Sequence, residues 1–451
     1  MTDKKQLLVK FLTSGSVDDG KSTLIGNLLY NTDSIYDDQI SEIKKLSGGD
    51  QVDYSLFVEG LESERRQKIT IDVAYRYFTA AGKKFIIADS PGHEEYTRNM
   101  AVAASNSELA LLLVDAKAGL KVQTLRHLYI AYLFGIRRFV VVINKMDLAD
   151  YSQDRFNDIR NDFIAKTKGL EFADLYFIPV VAISGDNVVK KSKNISWYKG
   201  DTLYGYLTKF NNPDQEEGDF RFRVQVVSKH QDYRLYQGII SGGNISANQE
   251  IMALPGYKSA KVKEIHYSGE QVKKAHAGQS VSLVLDRDLD IDRGTIFAES
   301  QKLPQVANGF SAHVIWFSKK EFSLDKNYDL TLKLNHNYAN AEITKINHLV
   351  NINDFSTYDF NYIRQNQIAH LDFSLSEEMA FDKFADNKFT GSFLLINKAN
   401  NEVMAAGLID KSINQLKQKN RNEAFLADLA GLVKRHFGQQ DAEFFINHLK
   451  G

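Results

Sequence analysis

The chain has 451 residues, 43% hydrophobic and 25% charged with only 5 prolines, which excludes a disordered chain and predicts two to four compact units. Its 56 Lys and Arg balance 57 Asp and Glu to a formal charge of −1, so no global field draws it to nucleic acid or an acidic membrane. Cysteine is absent, which excludes disulfides, thiolate metal sites and a cysteine nucleophile. The start Met1-Thr2-Asp3-Lys4-Lys5 runs into a short apolar segment without a signal-like stretch, and no apolar run approaches the ~20 residues of a membrane span. A cytoplasmic protein without membrane association is expected.

Residues 1–208 alternate short apolar runs with polar helical stretches, the rhythm of βαβ units on a parallel sheet. The predicted strands are 7–12, 85–88, 109–114, 139–143 and 177–181, each too short for a buried helix and mostly β-branched or leucine-rich. Directly after the first comes Gly15-Ser16-Val17-Asp18-Asp19-Gly20-Lys21-Ser22, followed by Thr23 and a helical stretch to Leu29. This is the phosphate-binding loop pattern in the strand-to-helix context it requires. Its glycines let backbone amides turn inward, the helix N-terminus adds its dipole, Lys21 supplies a point charge, and Ser22 is a candidate Mg²⁺ ligand.

The stretch from Asn31 to Lys68 is too long and too charged for a simple connection, which points to a functional or mobile segment. It closes on Ile69-Thr70-Ile71-Asp72, where Thr70 is either an ordinary strand threonine or a hydroxyl that completes a magnesium shell when a γ-phosphate is present. After the second strand, Asp89-Ser90-Pro91-Gly92-His93-Glu94 places a carboxylate at the C-terminal edge of the sheet, where open α/β folds bind ligands. Asp89 would meet magnesium and the Gly92 amide a γ-phosphate; His93 is either a surface histidine or the group that positions attacking water. Asn144-Lys145-Met146-Asp147 follows the fourth strand and matches the N-K-x-D element of guanine-specific proteins. The Asp147 carboxylate can accept from N1 and N2 of guanine, a donor pair adenine lacks, so GTP is the expected ligand over ATP.

The polar segment 211–219 reads as a linker, after which alternating strands at close spacing, such as 220–224, 280–285 and 330–334, predict two small β-barrels. The expected organisation is an α/β P-loop GTP-binding domain over 1–210, a β-barrel over 219–303, a second over 304–411, and a helical tail over 412–451. The tail would present Phe425, Leu426, Leu429, Leu432 and Val433 on one face, either packed on its own barrel or docking a partner. Arg221, Arg223, Arg234, Lys261 and Lys263 form either a nucleic-acid row or, more simply, the solvated faces of strands.

The three motifs, the Ile69–Asp72 segment and two trailing barrels resemble the translation-factor class of GTPases over roughly residues 5–410. Gly15 to Gly26, Ile69 to Phe78, Ala88 to Met100 and Trp197-Tyr198-Lys199-Gly200 are more narrowly similar to the large, GTP-hydrolysing subunit of bacterial sulfate adenylyltransferase. That resemblance implies a heterodimer or higher heteromer, in which a small catalytic subunit joins ATP and sulfate to adenosine 5'-phosphosulfate and pyrophosphate while this chain hydrolyses GTP to drive the step. The implied site has Lys21, Thr70 and His93 in catalysis and Gly15, Ser16, Val17, Asp18, Asp19, Gly20, Lys21, Ser22, Thr23, Asp89 and Gly92 on the phosphates. Asn144, Lys145, Asp147 and Ala182 would hold the guanine, and Ser22, Thr70 and Asp89 the Mg²⁺. Lys68 stands where the family usually has glycine, and Val181 where it has serine in the loop behind the base, leaving Ala182 and the backbone for that contact. A second reading is a GTP-timed carrier of aminoacyl-tRNA, which would need the basic row as a groove.

Overall fold

The structure, a computed structural model, describes residues 8–32, 34–35, 53–58, 70, 72–211, 218–230, 233–326 and 328–413. Lys68 and nearly all of the predicted C-terminal helix lie outside the described residues. By its internal contacts the chain divides into two units. Met1–Gln215, Leu349–Asp359 and Gln365–Gln367 make up the first, and the remaining residues the second.

The first unit is built on β1 (Leu8–Gly15), α1 (Lys21–Asn31), β2 (Ala74–Ala80), β3 (Lys83–Asp89), α2 (Thr97–Ser105), β4 (Leu109–Asp115), α3 (Val122–Leu133), β5 (Arg138–Asn144), α4 (Gln153–Lys166), β6 (Asp174–Pro179) and α5 (Leu203–Lys209). Among the described residues its sheet has six strands in the order β2-β3-β1-β4-β5-β6. Every pairing from β3 onward is parallel, and all seven residues of β4 are buried, as expected of a continuous apolar run covered on both faces. β2 was not among the predicted strands. It pairs antiparallel with β3 through Ala81 and Gly82, both at positive φ (48° and 76°), as the two-residue turn of a hairpin requires. The sheet is therefore mixed, and β2 is its edge.

Parallel register brings the carboxyl ends of the strands to one side. Thr13 of β1 lies opposite Asp89 of β3, Asp115 of β4 opposite Asn144 of β5, and Ile143 opposite Pro179 of β6. Asp89 and Asn144, both singled out by the sequence, thus stand along one edge.

The second unit holds two closed barrels of six antiparallel strands each. Around the first run Glu250–Leu254, Ile296–Glu299, Arg221–His230, Tyr233–Gly242, Ser280–Leu285 and Lys258–Tyr267, the last closing on the first. Around the second run Leu330–Leu334, Ser392–Asn397, Val403–Ser412, Gln305–Trp316, Ile368–Phe381 and Asn337–Val350, again closed. Phe222, Tyr236 and Phe297 pack ring against ring inside the first; Phe310, Phe373, Phe381 and Phe393 do so inside the second.

The barrels share a buried ion pair. Arg221, 3% exposed, donates from Nε and Nη2 to the two oxygens of Asp382 at 2.9 and 2.8 Å, and Thr390 Oγ1 donates to Asp382 at 2.6 Å. Asn387 donates to Ser241 O, and the Arg223 guanidinium lies 4.7 Å over the Phe389 ring. Neither arginine is a member of an outward basic row, as both the carrier reading and the solvated-face reading supposed. Arg234 is engaged by Asp288 and Asp290, so only Lys261 and Lys263 of the five are simply exposed. Removing one partner of the buried pair strands the other's charge, so Arg221→Met should destabilise this unit by about 3–5 kcal/mol. Urea melts followed by the fluorescence of Trp316, buried in the second barrel, should show the loss, and Arg221→Met/Asp382→Leu should recover most of it.

Candidate functional site

Thr13 to Ser22 leave β1, turn, and enter α1. Gly20 precedes the helix at φ 92°, and a Cβ there would lie 2.3 Å from the Asn144 carboxamide, so only glycine fits. The Lys21 ammonium folds back over the loop, donating to Gly15 O at 3.2 Å and Ser16 O at 2.9 Å. Its burial pushes its pKa below the ordinary lysine value, while Asp89 and Asp19 work in the opposite direction. Asp19 is 1% exposed and closes the loop: Oδ2 accepts from Ser16 N–H at 2.7 Å. Asp18 sits exposed at φ 65°.

Asp89 ends β3 fully buried, its Oδ1 accepting from Thr13 Oγ1 at 2.8 Å. The chain then passes close under the loop. A Cβ on Gly92 would stand 2.9 Å from the backbone of Ser16 and Val17 and 2.6 Å from Lys21 Nζ, so any side chain here would collide with the loop backbone. His93, by contrast, is not among these groups: it is exposed, and its Nδ1 accepts from Glu95 N–H as the cap of the following turn. Thr70 is half-buried.

The ends of β5 and β6 are joined to the Gly15–Ser22 loop by one side chain. Asn144, 2% exposed at the end of β5, donates from Nδ2 to Asp19 O and accepts from Ala182 N–H at Oδ1, both at 2.9 Å. Ala182 O in turn accepts from Asn27 of α1 at 3.0 Å. The backbone groups of Ala182 are therefore both engaged within the protein, and this loop opens Ile183, 60% exposed, and Ser184 to solvent. Lys145 adopts a left-handed conformation (φ 61°) with its ammonium 2.8 Å from Asp115. Burial opposes the Asp115 charge, but Lys145 and the amides of Ala118 and Lys117 outweigh it and hold the carboxyl below its ordinary range. Asp147 is exposed and turned out of the fold. The Trp197–Gly200 segment braces the region from behind: Trp197 donates to Tyr151 O and Tyr198 to Phe177 O.

Several residues that shape the site carried no motif. Asp115 lies one position beyond a predicted strand and was readable as an acid at the sheet edge; Asn27, Lys121 and His127 were not. His127, wholly buried on α3, has Nδ1 2.7 Å from Ser14 Oγ and Nε2 2.8 Å from Gln123. Among the described residues no cluster of three or more His, Cys, Asp or Glu could cage a metal ion, and no helix is long and apolar enough to cross a membrane. An ion here would draw on hydroxyls, one carboxylate and the ligand's own oxygens, the oxygen-only set that suits magnesium: the Ser22 hydroxyl opens α1 and Asp89 is already oriented by Thr13.

A phosphate-binding loop, an acid at the end of β3 and an N-K-x-D turn, on one edge of a mostly parallel sheet and followed by two barrels, define a GTP-binding protein of the translation-factor type. In agreement, the elongation factor Tu GTP binding domain family matches residues 6–229, and the GTP-eEF1A C-terminal domain-like family matches residues 309–410. Sulfate adenylyltransferase subunit 1 of Aliivibrio fischeri strain MJ11 is 42% identical over 442 residues, 95% of this chain and 92% of that protein. The subunit 1 proteins of Saccharophagus degradans (40%, covering 98% and 95%) and Vibrio campbellii (40%, 98% and 94%) are similar over the same extent. The chain belongs to the sulfate adenylyltransferase subunit 1 family.

Burial and the nearby Lys21 and Arg126 charges depress His127 to about 3. An unfolded chain takes up that proton near 6.5, the folded one only near 3, so this group's contribution is complete above pH 6.5 and is lost as pH falls towards 3. His127→Gln should flatten the acid limb of stability by one proton, about 1.4 kcal/mol per pH unit between pH 6 and 4. Urea melts of both proteins across that range read the difference; parallel limbs would contradict it.

Proposed function

We propose that this chain is the GTP-hydrolysing subunit of a sulfate adenylyltransferase. Its small partner subunit would join ATP and sulfate to adenosine 5'-phosphosulfate and diphosphate, and GTP hydrolysis here would drive that unfavourable step. The observation that carries the reading is the junction of Gly15–Ser22, Asp89–Gly92 and Asn144–Asp147 at one sheet edge, in a chain of this family. A single phosphate-binding loop, taken by GTP, leaves the adenylyl chemistry to the partner. The proposed division is the GTP domain over 1–210, barrels over 219–303 and 304–411, and a tail over 412–451.

In the reaction a water oxygen bonds to the γ-phosphorus in line with the bond to the β-bridging oxygen, which breaks to leave GDP and phosphate. Lys21 and the loop amides hold the phosphate charge in a buried setting where each interaction counts for more than in water. Gly92 lets the backbone approach Lys21 closely enough for an amide to register the γ-phosphate. Ser22, Thr70 and Asp89 would hold Mg²⁺, which when bound neutralises charge on the β- and γ-oxygens. His93 keeps Nε2 for orienting water while Nδ1 is tied to Glu95 N–H. Asp147 selects guanine through N1 and N2, and Asn144 and Lys145 hold the loops that frame it. The site is proposed to work in the cytoplasm.

The carrier reading has less support, since Arg221 and Arg223 are committed within the barrels. The deciding experiment is sulfate-dependent pyrophosphate release from ATP by this chain with its separately purified small subunit, with and without GTP. Release that needs both proteins and rises severalfold with GTP is expected. Release indifferent to this chain or to GTP, with GTP hydrolysis intact, overturns the proposal.

A further inference from the structure

An acid inside a loop that receives a polyphosphate opposes its own ligand unless its charge is answered. Asp19 is such an acid, 1% exposed, and both of its oxygens are engaged. Oδ2 takes the Ser16 N–H at 2.7 Å, and Oδ1 lies 2.7 Å from the Lys121 ammonium, which also stands 3.5 Å from Val17 O. Lys121 comes from the segment between β4 and α3, 102 residues along the chain, and sits in extended conformation (ψ 153°) immediately before α3. Six residues further, His127 ties α3 to Ser14, the residue just before the loop. The base of the Lys121 side chain is thus fixed to the strand that carries the loop, while its stem remains 35% exposed.

We propose that Lys121 is a positioning residue for the nucleotide, neutralising and pinning Asp19 so that the Ser16–Asp19 turn is closed before phosphate arrives. This rests on the reading of the loop as the GTP site. Removing one partner of a charge-assisted pair whose acid is buried costs far more than breaking a surface salt bridge, because the remaining charge is left unanswered, and an unanswered carboxylate in the loop repels the ligand as well as freeing the turn. The effect belongs to binding, not to the chemical step, because the Lys121 ammonium touches the loop at Asp19 and Val17 and is not itself among the groups placed on the reacting phosphate.

The test uses the full chain and GDP carrying a fluorescent N-methylanthraniloyl group, with dissociation followed by stopped flow. Lys121→Met should speed dissociation about tenfold and raise KM for GTP to match, with kcat changed less than twofold and the thermal midpoint within a few degrees of the parent. Lys121→Arg should restore dissociation to within about threefold. The Lys121→Met effect should vanish when Asp19 is already Asn. A Lys121→Met protein that releases GDP at the parent rate overturns the proposal, as does an effect of equal size in the Asp19→Asn background, which would mean a direct charge effect on the nucleotide. A parent chain that holds no fluorescent GDP overturns the nucleotide reading and this proposal together, and is recognised before any variant is compared.

Discussion

The carboxamide of Asn144 is the constraint on which the rest of the site hangs. From the end of β5 it reaches the phosphate loop on one side and the loop after β6 on the other, with both of its hydrogen bonds buried. The loops it joins leave different strands and come from positions 125 and 38 residues away in sequence, so no local preference could hold them in register. A buried amide that lost either partner would carry an unsatisfied group at a cost of about 1–3 kcal/mol, which makes the arrangement close to all-or-none. Glycine at position 20 follows directly, since any side chain there would occupy the space of Asn144 Nδ2.

The same edge gathers three buried acids, and each has a specified partner. Asp89 accepts from Thr13, Asp115 from Lys145, and Asp19 from Lys121 and Ser16. Carboxylates crowded beside a polyphosphate site would otherwise repel one another and the ligand. The partners come from β1, the turn after β5 and the start of α3, so the charge pattern is assembled by the parallel register of the sheet. The second unit follows a similar logic with a single pair, Arg221 and Asp382, buried where its two barrels share contacts.

Much of this was legible in the sequence because phosphate loops and strand-end acids have fixed spacing relative to a predicted strand. Gly15–Ser22, Asp89 and Asn144–Asp147 fell where the apolar runs said they would, and two barrels could be expected from strand spacing together with the family resemblance. β2 escaped because Ala74–Ala80 exposes Tyr75, Tyr77 and Thr79 on its open side, which mimics a polar connection, and because its turn is Ala-Gly, not the stronger Asn-Gly signal. Arg221 was misread because strand alternation places charges outward only on a half-buried strand, and here the outward face meets a second barrel. Lys121 and His127 carry no motif: their roles arise from a helix packed against β1, a long-range contact that spacing does not encode.

Asn144 thus couples the Gly15–Ser22 loop and the loop after β6 into one preassembled unit. Native-state hydrogen exchange on the full chain, comparing the parent with Asn144→Ala, tests it directly. The account predicts that peptides covering 15–21 and 181–186 lose protection together while β4, at the centre of the sheet, is unchanged. Loss confined to one of the two loops, or to neither, would contradict it.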